Sequence, residues 1–350
     1  MPSITKPTVT HPKLANNTLG LTVRNYEGAM STLCAGCGHD SITAALVRAL
    51  WEMAIPPRMI AKLSGIGCSS KTTAYFASGA HGFNSAHGRM PALATGAAAA
   101  NRDMIYIGIS GDGDSLSIGL GQLAHAIRRN VRLVYIIENN GVYGLTKGQF
   151  SASADVGSKS KRGEPNQFEP IDPVLLALSL GATFVARGFS GDKEQLIPIL
   201  KAAIAHRGFA MVDVISPCVS FNDHEGSTKS YMYTRLHDLK ATDADFTPLA
   251  EPIVASIPEG GRTIRMHDGS LVRFQKTPEG YDPTNRESVV RFVEEYRDSG
   301  EIVTGLLYVD DSVGDMHEIN QTVAMPLNAV PYEKLCPGAD ALEKLQERFV

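Results

Sequence analysis

Two groups of residues in this chain of 350 amino acids have types and spacing that suit chemistry. The first is Gly111-Asp112-Gly113, separated by residues 114–138 from Asn139-Asn140. A divalent cation such as Mg²⁺ prefers oxygen ligands, and Asp112 and Asn140 could supply an anionic and a neutral one. The two glycines would let the backbone approach a phosphate, and a helix beginning near Ser115 would point free N–H groups at it. The simpler alternative is a tight turn followed by an Asn-Gly turn.

The second group consists of cysteines. Cys34 and Cys37 form a CxxC pair before a predicted helix, Cys68 and Cys218 each follow a predicted strand, and Cys336 is isolated. An odd number of cysteines without an export signal argues against a disulfide framework, which leaves buried thiols, a redox dithiol or metal ligands. A redox dithiol would not need Cys68 or Cys218. Four thiolates suit both zinc and a [4Fe–4S] cluster, so the ligand type alone does not separate these two.

The elements that must position these residues alternate along the first two thirds of the chain. Short apolar strands alternating with helices predict an α/β fold with a parallel sheet covered on both faces. The predicted strands are Met59–Leu63, Met104–Ser110, Arg132–Ile137, Thr183–Ala186 and Phe209–Ile215. The predicted helices are Asp40–Ala54, Ser115–Arg129, Pro173–Leu180 and Lys193–His206.

Four of these strands lead directly into unusual segments. The segments are Gly65–Ser69, Gly111–Asp114, Glu138–Gly141 and Ser216–Cys218. Ligands of open parallel sheets bind beyond the carboxyl ends of the strands. We therefore expect the four segments to share one edge and one site.

The pattern changes from about Phe221 onward. Val272–Phe274 and Glu301–Tyr308 resemble strands, Arg286–Arg297 resembles a helix, and the remainder is rich in proline and irregular. We predict an N-terminal extension at residues 1–30, a ligand-binding domain at 31–222 and an irregular α+β extension at 223–350.

The composition indicates an ordinary soluble globular protein, with 43% hydrophobic and 20% charged residues and a net charge of −4. There is no basic stripe that would indicate nucleic-acid binding, and no apolar run long enough to span a bilayer. No signal peptide is visible near the N-terminus, so a cytoplasmic location is expected.

The motifs together resemble a known family. The GDG and NN motifs resemble the signature of the diphosphate-binding domain of thiamine-dependent enzymes. Combined with the spacing of the four cysteines and with the segment NNGVYGLTKGQ, they resemble the β subunit of 2-oxoacid:ferredoxin oxidoreductases from about Thr32 to Phe221. The resemblance implies a thiamine-diphosphate-binding fold. It also implies Mg²⁺ held by Asp112, Asn140 and the backbone carbonyl of Val142.

The resemblance also implies one [4Fe–4S] cluster, bound by Cys34, Cys37, Cys68 and Cys218. Residues expected to contact thiamine diphosphate are Ile66, Gly67, Cys68, Ser69, His87, Gly111, Asp112, Gly113, Asp114, Asn140, Val142, Gly144, Leu145 and Thr146. His87, Arg89 and Lys147 are candidate contacts of the substrate or cofactor; the alternatives are a polar loop that caps the helix at Pro91 for His87 and Arg89, and a solvated loop lysine for Lys147. Phe83–Arg89 resembles the segment found in the branches of the family that act on 2-oxoglutarate or on a broad range of 2-oxoacids.

The implied reaction converts 2-oxoglutarate and coenzyme A to succinyl-CoA and CO₂ and passes electrons to ferredoxin. A thiamine enzyme also needs a pyrimidine-binding domain with an activating glutamate, which we expect on a separate α subunit in an (αβ)₂ assembly. Three alternatives remain: an enzyme for pyruvate or a broad range of 2-oxoacids, a different thiamine enzyme, and a zinc-stabilised binding module without enzymatic activity.

Overall fold

A computed structural model describes residues 12–159, 164–248, 262–274, 278–336 and 338–349. Residues 1–11 of the predicted N-terminal extension therefore lie outside the described part. The strands are β1 (Ile60–Ser64), β2 (His81–Asn84), β3 (Ile105–Gly111), β4 (Leu133–Asn139), β5 (Val142–Tyr143), β6 (Gln149–Phe150), β7 (Phe184–Phe189), β8 (Phe209–Ile215), β9 (Asp238–Lys240), β10 (Ala244–Thr247), β11 (Arg262–Arg265), β12 (Leu271–Phe274) and β13 (Ile302–Val309).

Helices cover the sheet and extend to the C-terminus. They are α1 (Gly38–Glu52), α2 (Met90–Ala100), α3 (Leu120–Arg128), α4 (Pro173–Leu180), α5 (Lys193–Ala205), α6 (Tyr231–His237), α7 (Arg286–Asp298), α8 (Met316–Ile319), α9 (Tyr332–Leu335) and α10 (Ala339–Gln346). Short 3₁₀ helices span Val23–Tyr26, Pro57–Met59, Ser69–Ala74, Leu327–Ala329 and Glu347–Phe349, and a π-helical turn spans Gly113–Ile118. Within the described ranges, no helix is both long and apolar enough to cross a membrane.

The main sheet has eight strands in the order β2-β1-β3-β4-β8-β7-β13-β9. The first six are parallel to one another, which confirms the predicted parallel sheet. β13 differs, because it pairs antiparallel with β7. Its residues 303–309 are buried, so this apolar run needs cover on both faces and obtains it by joining the sheet. The predicted boundary at residues 222/223 stays a prediction, although β13 ties the C-terminal part to the same sheet.

Each face of the sheet carries its own hydrophobic core. Alternate residues of β4 divide between the two, with Val134 and Ile136 in one and Tyr135 and Ile137 in the other. α1 and α5 cover the first face, while α2, α3, α4 and α7 cover the second. Burying one such side chain contributes roughly 1.5–3 kcal/mol, so the two cores hold the central strands firmly in register.

Two elements near the binding edge depart from the predictions. The predicted helix Ser115–Arg129 begins instead with the π-helical turn, in which Gly119 N–H donates to Asp114 O (2.8 Å). β2 was not predicted, because its four residues are exposed and lack an apolar pattern. It is held by backbone pairing with β1 and by Ser64 Oγ, which donates to Asn84 Oδ1 (2.8 Å).

The C-terminal part forms a small antiparallel sheet in the order β10-β12-β11. Phe246 and Phe274 of this sheet pack into the core that α1 and α5 cover. The predicted strand Val272–Phe274 lies in β12, and the predicted helix Arg286–Arg297 lies in α7. These observations agree with an α+β extension that wraps around the core.

Candidate functional site

The four segments singled out in the sequence meet at one edge of the sheet, because β1, β3, β4 and β8 are consecutive parallel neighbours. A cavity of about 270 Å³ opens at this edge. Every residue predicted to contact thiamine diphosphate, from Ile66 to Thr146, lines this cavity. Its wall also contains His39, Ile118 and Tyr143, which were not predicted as contacts.

Asp112 is a fully buried carboxylate whose two oxygens have different surroundings. Oδ2 accepts hydrogen bonds from Gly141 N–H (3.0 Å), from Ser153 Oγ (2.6 Å) and from Ser151 Oγ. Oδ1 receives only a long contact of 3.5 Å from Asn140 N–H. Burial raises the pKa of Asp112, while the serine hydroxyls oppose that shift. One oxygen is thus fixed by the protein and the other is left available at the cavity wall.

The loop that follows β4 is tied to the same carboxylate. Asn140 is buried, its Oδ1 accepts from Val142 N–H (3.1 Å), and its backbone carbonyl accepts from Asn222 Nδ2 (2.8 Å). Gly141 adopts a φ of +75°, a left-handed conformation that glycine tolerates at no steric cost. The loop therefore brings the side chains of Asp112 and Asn140 to the same wall.

A buried chain of hydrogen bonds continues behind Asp112. Ser153 Oγ also lies 2.9 Å from Asn139 Oδ1, and Asn139 Nδ2 donates to Asp213 Oδ1 (3.0 Å). Arg187 Nε donates to Asp213 Oδ2 (2.8 Å), and its Nη2 donates to Asp172 Oδ1 (2.6 Å). The sequence analysis missed this chain. Its only signal was a charged residue inside each of the apolar strands β7 and β8.

The two carboxylates paired with Arg187 differ in their acidity. Burial raises the pKa of Asp213 despite the guanidinium beside it. Burial also acts to raise the pKa of Asp172, but Arg187 and the N–H groups of Val174 and Leu175 outweigh it and lower that pKa. Asp172 also caps the start of α4, so the series of hydrogen bonds that begins at Asp112 ends at a helix N-terminus.

Close approaches at the edge require glycine. A Cβ on Gly113 would lie 2.6 Å from the Tyr143 ring, whose hydroxyl donates to Gly113 O (3.0 Å). A Cβ on Gly65 would lie 2.1 Å from Asp114 Oδ2. Asp114 Oδ1 in turn accepts from Gly88 N–H (2.7 Å). The backbone at Gly65 and at Gly88 therefore lies in close contact with the Asp114 side chain.

One of the four predicted cluster cysteines, Cys68, lines this cavity, and the segments that carry the other three lie close to it. A Cβ on Gly144 would lie 3.5 Å from Cys68 Sγ and 3.7 Å from Cys218 Sγ. Ser220 Oγ, two residues beyond Cys218, lies 3.4 Å from Cys34 Sγ, and Cys37 N–H donates to Cys34 O (3.0 Å). The segments that carry the thiols are therefore packed together.

The environment of these thiols is unfavourable for isolated charge. Burial raises the pKa of Cys37 to about 12, and neighbouring Glu138 and Cys218 add to this shift. Burial also raises the pKa of Cys68 and of Cys218. Across the described part of the chain, no three Cys, His, Asp or Glu side chains converge closely enough to hold a single metal ion. Cys336 is exposed at the end of α9.

Of the three candidate substrate contacts, one lines the cavity and two do not. His87 lines the cavity. Arg89 precedes α2 and Lys147 lies in the turn after Gly144; both are exposed, and neither lines the cavity. Their roles stay predictions. His39 was not predicted, although it directly follows the CxxCG motif and is buried in the wall.

Comparison with known proteins gives consistent results. Residues 65–214 match the family described as "Thiamine pyrophosphate enzyme, C-terminal TPP binding domain". The 2-oxoacid:ferredoxin oxidoreductase subunit beta of Saccharolobus solfataricus is 43% identical over 222 residues, covering 63% of this chain and 70% of that protein. The 2-oxoglutarate oxidoreductase subunit KorB of Mycobacterium tuberculosis is 43% identical over 191 residues, 54% of this chain and 51% of its own length.

A solved structure extends the match over most of the fold. It is the 2-oxoglutarate:ferredoxin oxidoreductase of Magnetococcus marinus with 2-oxoglutarate, coenzyme A and succinyl-CoA bound, at a TM-score of 0.71 and 27% identity. The match covers 88% of this chain and 92% of that one. The edge geometry, the thiamine-domain match and the similarity to curated subunits agree, and the chain belongs to the family of β subunits of 2-oxoacid:ferredoxin oxidoreductases.

Proposed function

We propose that this β subunit binds thiamine diphosphate through Mg²⁺ and one [4Fe–4S] cluster, and that with an α subunit it oxidises 2-oxoglutarate. Coenzyme A would accept the acyl group to give succinyl-CoA and CO₂, and ferredoxin would accept the electrons. One observation carries the proposal: Asp112, Asn140 and Cys68 line a single cavity, and the thiols of Cys68 and Cys218 both lie close to Gly144, which lines it too.

The donor set fits Mg²⁺. Three hydrogen bonds hold Asp112 Oδ2, which leaves Oδ1 as an anionic ligand already oriented by its partners. Asn140 offers a neutral oxygen on the same wall, and the predicted third ligand is the carbonyl of Val142. Such partly fixed carboxylate and amide oxygens suit a hard cation that also binds phosphate oxygens.

The thiols fit a cluster better than zinc. A structural zinc site usually draws its thiolates from two close pairs, whereas this chain has one close pair, Cys34 and Cys37, plus two isolated cysteines. A [4Fe–4S] cluster takes one thiolate at each of four separate irons, so its ligand sulfurs stand farther apart. Cys34, Cys37, Cys68 and Cys218 would be those ligands. The raised pKa of Cys37 is also consistent with a thiolate that needs bound cationic iron to be stable.

The chain's own residues would bind and orient the reactants. When bound, thiamine diphosphate supplies the electron sink for decarboxylation of the 2-oxoacid. Gly111 and Gly113 let the backbone approach the diphosphate, and the turn that starts at Gly113 offers N–H groups to an anion. Ile118 and Leu145 add apolar surface to the cavity wall.

The substrate and the partner are supported by relatives. The M. tuberculosis relative is named for 2-oxoglutarate, and the M. marinus structure holds 2-oxoglutarate and coenzyme A. The name "subunit beta" of the S. solfataricus relative implies an α partner. We propose that the partner supplies the pyrimidine-binding domain and its glutamate in an (αβ)₂ assembly, and that residues 31–222 form the part that binds the cofactors.

The test is an anaerobic preparation of the β subunit co-expressed with its α subunit. We expect about four irons per β chain, brown visible absorption, and the highest kcat/KM for 2-oxoglutarate among 2-oxoglutarate, pyruvate and branched-chain 2-oxoacids. A colourless complex that binds thiamine diphosphate would indicate another thiamine enzyme. Equal kcat/KM values would indicate a broad 2-oxoacid enzyme, and the β subunit alone should be inactive.

A further inference from the structure

His39 is a buried histidine in the cavity wall that the proposed function does not yet use. It is the second residue of α1 and only 1% of its surface is exposed. Its Nδ1 lies 2.6 Å from Ser216 Oγ and 3.3 Å from Glu138 Oε2. The ring is thus held from one side by Glu138 of β4 and by Ser216, which follows β8.

The opposite side of the ring has no partner in the described part of the chain. Nε2 is fully buried and makes no hydrogen bond with any described residue, although it belongs to a residue that lines the cavity. A buried ring nitrogen without a partner costs roughly 1–3 kcal/mol, so such groups normally meet a ligand or water. His39 is therefore a residue of the cavity wall whose Nε2 is buried and still lacks a partner among the described residues.

The residues around His39 indicate which end of the cavity lies nearest to its Nε2. His39 lies two residues after Cys37, and its partner Ser216 lies two residues before Cys218. Glu138, the other neighbour of Nδ1, is held by the hydroxyl of Thr72, which donates to both of its oxygens (3.0 and 3.1 Å). His39 thus stands between the segments that carry the thiols and the wall that carries Asn140.

We propose that Nε2 of His39 forms a hydrogen bond with the ligand at the cysteine end of this cavity, which is either thiamine diphosphate or the 2-oxoacid bound beside it. The contact rests on the proposed function, because it requires that these molecules occupy the cavity. It makes His39 a ligand-contacting residue of the site, with Ser216 and Glu138 as its positioning residues.

Two substitutions separate the two nitrogens. In His39→Gln the side-chain amide can reach the place of Nε2, whereas in His39→Asn it can replace only Nδ1. His317 provides a matched control, because it is also buried and its Nδ1 lies 2.7 Å from Thr322 Oγ1. Its Nε2 likewise has no partner among the described residues, but His317 does not line the cavity. The same two substitutions at His317 report the general effect of replacing a buried histidine.

Each variant is measured as the anaerobic αβ complex. The readouts are the Kd of thiamine diphosphate by calorimetry at saturating Mg²⁺ without substrate, kcat and KM for 2-oxoglutarate, and the iron content and Tm. We expect His39→Asn to lose about tenfold, the effect of one hydrogen bond of about 1.4 kcal/mol, and His39→Gln to stay near wild type. A change in Kd would indicate a cofactor contact. A change confined to kcat or KM would indicate a substrate contact.

Other results would overturn the inference. If His39→Asn matches the wild-type complex in both assays, Nε2 contacts no ligand. If His39→Gln is as impaired as His39→Asn, or more so, or if both lose iron to the same degree, the histidine serves only to hold Ser216 or the thiols. A wild-type complex that does not bind thiamine diphosphate would instead contradict the proposed function, and the calorimetry detects this case separately.

Discussion

The hydroxyl of Ser153 offers the sharpest test of how the protein prepares its cation site. Ser153 is buried, donates to Asp112 Oδ2 at 2.6 Å and lies 2.9 Å from Asn139 Oδ1. Ser153→Ala removes this hydroxyl and leaves the carboxylate with two of its three Oδ2 donors, Gly141 N–H and Ser151 Oγ. The carboxylate should then be less firmly oriented towards the cavity.

The size of the effect follows from the type of bond. A hydrogen bond to a charged group contributes about 1.5–3 kcal/mol. Loss of a partner that orients a metal ligand typically lowers metal affinity roughly 10–100-fold. We expect the Kd for Mg²⁺, measured by calorimetry in the presence of thiamine diphosphate, to rise within that range. Mn²⁺ binding followed by electron paramagnetic resonance provides a second reading.

Ser158→Ala is the matched control. Ser158 is also buried, and its hydroxyl has no hydrogen-bond partner among the described residues, so its removal breaks no bond. Wild-type cation affinity in Ser153→Ala, together with a Tm lower than that of Ser158→Ala, would refute the reasoning. It would mean that the hydroxyl stabilises the fold without orienting Asp112.

Three further predictions concern other parts of the molecule. Cys218→Ser should lower the iron content and visible absorption of the complex, because a weak oxygen donor replaces a thiolate. Gly113→Ala should raise the Kd of thiamine diphosphate at least tenfold, because a Cβ there would lie 2.6 Å from the Tyr143 ring, which must shift. Burial lowers the pKa of His206 below its usual 6.5. As the pH falls from 7 to 5, the unfolded chain takes up this proton more readily than the folded chain, so the free energy of unfolding should fall more in wild type than in His206→Gln.

Each of these three predictions has a control or a result that would contradict it. Cys336→Ser should retain full iron content, and an equal loss in both cysteine variants would contradict the ligand assignment. Gly121→Ala places a Cβ where nothing lies within 4 Å, so it should bind the cofactor normally. Parallel stability curves for wild type and His206→Gln between pH 7 and 5 would show that the buried ring is not the source of the pH dependence.

The binding edge could be predicted because it follows from a general rule. Strands that alternate with helices form a parallel sheet, and the segments after β1, β3, β4 and β8 then meet at the same side. The series of hydrogen bonds that connects Asp112 with Arg187 could not be predicted. It depends on pairs far apart in sequence, and a charged residue in an apolar strand does not reveal its partner.

Other elements escaped prediction for local reasons. β2 has no apolar pattern, since backbone pairing and the hydrogen bond from Ser64 to Asn84 hold its exposed residues. β13 was recognised as strand-like, but nothing in a single strand says which neighbour it will join or in which direction. The role of His39 was hidden as well, because its burial and its unpartnered Nε2 depend on contacts with Glu138 and Ser216.

The order of strands in the main sheet has a consequence for how the molecule opens. β1, β3, β4 and β8 each lie between two other strands, whereas β2 and β9 form the edges. Backbone amides in such central strands exchange with solvent only through large-scale opening, while edge strands fray at little free-energy cost. Hydrogen exchange should therefore be slower in the six inner strands, which include the four that carry the binding segments, than in β2 and β9. Because the binding segments are anchored on inner strands, fraying of β2 or β9 leaves the arrangement of ligand groups unchanged.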